Sequence, residues 1–116
     1  KINFVTYANE AKINFVDVKP ETLNIYGAVS EQTVREMVKG ALKISGADIA
    51  VSVSGIAGPN SDNTEKPVGL IFLAVSNGKS ITVKQLNNTF TENIRENNRQ
   101  SASDEALKMI LDLVGE

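Results

Sequence analysis

Lys12 ends the run Tyr7-Ala8-Asn9-Glu10-Ala11-Lys12, where residue type and spacing could make a lysine into a base. Residues 3–8 (NFVTYA) are β-branched and aromatic, and Asn9 behind them is a good N-cap, so the sequence predicts a strand feeding a short helix at 10–16. Lys12 then lies in the first helical turn, beside the positive end of the helix dipole. That position costs a charged lysine a few tenths to about 1 kcal/mol. Burial would act in the same direction, leaving the amine partly neutral near pH 7 and able to take a proton. The Tyr7 hydroxyl could relay that proton or hold the amine in place. The plainer alternative is a solvated lysine beside a half-buried tyrosine.

Three further groups could bind rather than react. Ser54-Gly55-Ile56-Ala57-Gly58-Pro59 follows a predicted strand, and its two glycines three apart allow backbone N–H groups to converge on a phosphate or an oxyanion. It has neither the spacing nor the Lys-Ser/Thr ending of a P-loop, and an ordinary Gly-Pro turn is the competing reading. In Glu65-Lys66-Pro67-Val68-Gly69, Lys66 could meet a phosphate as a point charge, or simply be a solvated loop residue. Gly69, within the strand expected there, implies close approach of another backbone or a ligand. Arg95 and Arg99, four apart on a predicted helix, share a face and could clamp an anion, or pair with Glu92 and Glu96. The asparagine-rich run Asn87, Asn88, Asn93, Asn97 and Asn98 suggests no chemistry.

The composition narrows what these groups can do. Among 116 residues there is no cysteine and no histidine, which excludes a disulfide scaffold, a thiolate nucleophile, a Ser-His-Asp triad and His- or Cys-ligated metal sites. Hydrolytic chemistry must run on Lys, Tyr, Ser, Thr or carboxylates, with no cofactor or metal called for. A net charge of -2 argues against direct nucleic-acid binding through phosphate contacts. No apolar run of about 18 residues and no signal-peptide pattern occur, so a soluble, cytoplasmic protein is expected, with no membrane partner.

The elements that must carry these residues fit one domain, 1–116. Pro20 opens a short helical turn at 21–26 that Gly27 ends, and Ser30 is the N-cap of the strongest helix. Val34, Met37, Val38, Ala41 and Leu42 form that helix's buried face, and Gly46 stops it. Strands are expected at 48–54, at 68–75 as a central strand covered on both faces, and at 80–90 as an edge, the last two joined through Asn77-Gly78. A closing helix at 92–114 presents Ala102, Ala106, Met109, Ile110 and Leu113 inward. These elements imply an α/β layered fold with a mixed sheet. KINFV occurs twice, at 1–5 and 12–16, without a third copy, so it is no repeat architecture. A strand so near the start suggests a domain cut at its N-terminal side.

Taken together, FVTYANEAK (4–12), GAVSE (27–31), SGIAGP (54–59) and EKPVG (65–69) resemble the C-terminal domain of the CinA (competence/damage-inducible protein A) family, in its order and spacing. The resemblance implies a three-layer α/β/α sandwich that hydrolyses the carboxamide of nicotinamide mononucleotide to nicotinate mononucleotide and ammonia. It implies catalytic roles for Tyr7 and Lys12 beside a serine nucleophile. A ligand would be held by Asn9, Ser54, Gly55, Ile56, Ala57 and Gly58, with Lys66, Arg95 and Arg99 as candidates for the phosphate. The partner would be a small pyridine nucleotide, and a homo-oligomer is expected. The family's serine lies in an E-S-C-T-G-G motif that these residues do not contain, and Ser54 falls where the family usually has threonine. Asn60-Ser61-Asp62-Asn63 stands where the family commonly has a glycine-rich run. The alternative is a catalytically inactive nucleotide-binding or protein-interaction domain linked to competence or DNA damage.

Overall fold

Ser30 begins the element on which the rest is assembled. Its Oγ accepts the Thr33 N–H at 3.2 Å, and the helix behind it, α3 (Glu31–Ser45), runs until Gly46 turns left-handed at φ 67°. The computed structural model describes residues 9–61 and 65–115. Tyr7 and the strand expected at 3–8 lie outside the described residues. Two short helices precede α3: α1 (Asn9–Val16) and α2 (Pro20–Tyr26). Asn9 lies within α1 rather than as a cap in front of it. The N-terminus of α2 has no cap from its own flank. Glu36 of α3 supplies one, accepting the Lys19 N–H at 2.8 Å and the Thr22 hydroxyl at 2.6 Å. Replacing Ser30 with alanine removes the α3 cap, so chemical denaturation should register a loss of about 1 kcal/mol.

The sheet is a meander of β1 (Ala50–Gly55), β2 (Leu70–Ser76) and β3 (Ile81–Asn87), in the order β1-β2-β3. All three described strands pair antiparallel, with Ser52 opposite Ala74 and Ala74 opposite Val83. The mixed sheet expected from the sequence is therefore antiparallel among the described residues. The central strand starts at Leu70 and not at residue 68, because the Leu70 N–H bonds back to the Pro67 carbonyl and Gly69 takes φ 94°. A side chain at Gly69 would overlap the Asn88 carbonyl, the close backbone approach its glycine implied.

Alternation along β2 divides the core in two, one part on each face of the sheet. Ala74 and Phe72 pack with Val34, Met37 and Val38 of α3 and with Val16, Val18 and Leu23. Ile71, Leu73 and Val75 pack with Met109 and Leu113 of the closing helix, α4 (Ile94–Val114), supported by Ala102, Ala106 and Ile110. Helices thus cover both faces, in the expected α/β/α layering. On the α4 side the covering is incomplete. Val51 and Val53 of β1, with Leu107, Leu111 and Val114 of α4, remain exposed. No described helix is long and apolar enough to cross a membrane.

Candidate active site

Lys12 is buried, with 5% of its surface exposed, on α1, a helix that packs against α3. Burial disfavours its ammonium form and holds its pKa below the ordinary lysine value. Asn9 is already helical, so Lys12 stands at least four residues into α1 rather than third behind an Asn9 cap. So buried, Lys12 is not a solvated surface lysine. Asn9 is exposed on the same helix.

The second group gathers around the loop that leaves β1. The Ile56 N–H donates to the Leu70 carbonyl at 3.0 Å, and the Ile56 carbonyl accepts the Gly69 N–H at 2.8 Å. Beyond it, side chains of α4 take over. Asn98 Nδ2 donates to the Ala57 carbonyl at 2.9 Å, and Arg95 Nη1 to the Gly58 carbonyl at 3.2 Å. Gly58 turns at φ 84°, and the Gly58–Pro59 peptide is cis. A side chain at Gly58 would collide with Val68 and Ile94, so the loop lies tightly on the layer beneath. The Ala57 and Gly58 N–H groups meet no acceptor among the described residues.

The other end of the loop is tied to the turn between α2 and α3. Ser54 Oγ donates to the Ala28 carbonyl at 2.8 Å. Lys66 Nζ donates to the carbonyls of Tyr26 and Val29. Lys66 therefore braces the 27–30 turn against the loop, a role that its type and spacing did not reveal. Arg95 pairs with neither Glu92 nor Glu96, because its guanidinium is turned to the loop. Arg99 is exposed, and its side chain has no hydrogen bond or ion pair with a described residue. Ser54 and Lys66 thus tie one end of the loop to the 27–30 turn, and Arg95 holds its Gly58 end.

Asn98 was missed in the sequence because it sits in an asparagine-rich run. It is 1% exposed, and its signal was positional: spacing places it one turn before Ala102 on the inner stripe of α4. No group of three or more His, Cys, Asp or Glu able to hold a metal occurs among the described residues.

Comparison with known proteins identifies the family of the chain. The family model described as the CinA C-terminal domain matches residues 1–114. The chain belongs to the CinA C-terminal domain family. A CinA-like protein of Syntrophomonas wolfei is 42% identical over 109 residues, covering 94% of this chain and 24% of that protein. A protein of Enterobacter agglomerans named nicotinamide-nucleotide amidohydrolase PncC is 54% identical over 84 residues, covering 71% of this chain and 51% of that one. Among solved structures, the competence/damage inducible protein CihA of Agrobacterium tumefaciens superposes with a TM-score of 0.87 at 40% identity, over 95% of this chain and 66% of its own. The chain thus spans about a quarter to a half of these two curated relatives and about two thirds of the solved one.

Proposed function

We propose that this domain serves a nicotinamide-nucleotide amidohydrolase, converting nicotinamide mononucleotide and water to nicotinate mononucleotide and ammonia in the cytoplasm. The observation that carries the reading is Lys12, a lysine removed from water whose ammonium form is disfavoured by that removal. In a chain with no histidine, such an amine is the group best suited to general-base work. The similarity to the Enterobacter agglomerans amidohydrolase supports the substrate class.

In this reading a serine of the kind found in the family's E-S-C-T-G-G motif attacks the carboxamide carbon. Neutral Lys12 takes the hydroxyl proton and returns it to the departing nitrogen, which leaves as ammonia. Tyr7 relays the proton or holds the lysine. Water then releases the acyl group as nicotinate mononucleotide. Asn9 and the loop of Ser54, Gly55, Ile56, Ala57 and Gly58 cradle the ligand, with the unclaimed Ala57 and Gly58 N–H groups as its donors. Lys66, Arg95 and Arg99 supply positive charge for the phosphate, the first two from side chains already braced on carbonyls. We also propose a homo-oligomer, with the exposed Val51, Val53, Leu107, Leu111 and Val114 as the contact between copies. An oligomeric wild type and a monomeric Leu111→Lys variant in sedimentation would support that contact; a monomeric wild type would rule it out.

Ammonia release from nicotinamide mononucleotide by the full-length protein, measured beside calorimetric binding of the same nucleotide, tests the hydrolase. Release supports it. Binding without release would overturn it in favour of an inactive nucleotide-binding domain.

A further inference from the structure

The peptide that joins Ala57 to Gly58 is held from one end only. Its carbonyl is gripped by Asn98 Nδ2, and its N–H has no acceptor among the described residues. In a planar trans peptide the carbonyl oxygen and the amide hydrogen point in opposite directions. Gripping the oxygen from α4 therefore aims the Gly58 N–H away from α4. The preceding peptide is fixed in the same way, with the Gly69 N–H on the Ile56 carbonyl and the Ala57 N–H unclaimed. Two successive donors are thus oriented through their carbonyls, an arrangement that suits an anionic oxygen.

Asn98 itself is in an unusual state for a buried residue. It is 1% exposed, and while Nδ2 is satisfied by Ala57, Oδ1 has no hydrogen-bond partner among the described residues. The donation to a carbonyl fixes which end of the amide is nitrogen, so rotation of the side chain does not remove the orphan. A buried acceptor left unpaired works against folding. An apolar residue of the same size would relieve the Oδ1 orphan but leave the Ala57 carbonyl without its donor, one unpaired acceptor for another, with little net change. The folded state alone therefore gives weak reason for asparagine here, and orientation of the loop gives a direct one.

We propose that Asn98 is a positioning residue that aims the Gly58 N–H at an anionic oxygen of the ligand. This deepens the amidohydrolase reading and rests on it for the ligand's identity. That oxygen belongs either to the carboxamide as negative charge develops on it or to the nucleotide phosphate.

The test is Asn98→Leu in the full-length protein, followed by melting temperature, by backbone relaxation at Ala57 and Gly58 without ligand, and by amidase kinetics. The expected result is an unchanged melting temperature, a lower order parameter at Gly58, and about a tenfold or greater loss of kcat/KM. A loss confined to kcat assigns the donor to the carboxamide oxygen. A rise in KM for the nucleotide, absent for the nucleoside without its phosphate, assigns it to the phosphate. An unchanged order parameter at Gly58, or an unchanged kcat/KM, overturns the positioning role. A wild type that releases no ammonia overturns the amidohydrolase reading and, with it, the ligand role; the order parameter then judges the orientation of the loop by itself.

Discussion

Lys12→Met should abolish ammonia release by the full-length protein and make the difference in stability between variant and wild type depend on pH. The two effects have one origin. Lys12 is buried to 5% exposure, and burial holds its pKa below the usual lysine value. In the unfolded chain the side chain is hydrated and keeps its ordinary pKa. Between the folded and the unfolded value, the unfolded state binds more protons than the folded state, so wild-type stability rises with pH across that window. Below the folded value the whole penalty is present; above the unfolded value, 10.5, it is gone. Methionine has a similar shape and no titratable group, so the variant's stability relative to the wild type is highest at neutral and acid pH and falls as the solution becomes alkaline. A general base contributes about 10²- to 10⁴-fold, which sets the size of the activity loss. The wild type's kcat/KM should rise with pH to a plateau whose midpoint lies below the ordinary lysine range. Melting curves and rates measured on both proteins from pH 6 to 11 decide the matter. A variant that keeps its activity, or one destabilised equally at every pH, would remove Lys12 from the chemistry.

How much of this could be read from residues alone depends on whether the determining contact was local. The cap at Ser30, the stop at Gly46, the turn at Asn77-Gly78 and the inner stripe of α4 are all local or periodic, and the structure places each of them as the sequence implied. The burial of Lys12 was not legible in this way, because it depends on what packs over α1. Nor was the bracing of the loop. Lys66 reaches the Tyr26 carbonyl 40 positions away, and Asn98 reaches Ala57 41 positions away. Neither contact has a period or a motif, since each depends on how two layers meet across the sheet. The start of β2 was misplaced by two residues because Gly69 at φ 94° is a turn residue, and a run of apolar letters does not report φ.

Gly40→Ala should unfold what Lys12 depends on. In an isolated helix this change stabilises by roughly 1 kcal/mol, because alanine restricts the unfolded chain and favours helical backbone. Here the sign reverses. A Cβ at Gly40 would overlap the carbonyl carbon and oxygen of Val16, the last residue of α1. Those are backbone atoms, so no side-chain rotation relieves the overlap, and α1 must lift from α3. Val16 and Val18, 2% and 1% exposed, would then lose their packing on Val34, Met37 and Val38. Overpacking of this kind costs about 1–3 kcal/mol, enough to outweigh the helix preference. The effect on catalysis should exceed the effect on stability. Lys12 is one turn before Val16, and once α1 moves off α3 water reaches the amine and returns its pKa toward the ordinary value. The variant should therefore melt lower, and the midpoint of its residual pH–rate profile should shift upward. Lys39→Ala, a neighbouring change on the exposed side of α3, supplies the control and should alter neither. A Gly40→Ala protein as stable as the wild type, with its pH profile in place, would show that the α1–α3 contact does not set the state of the lysine.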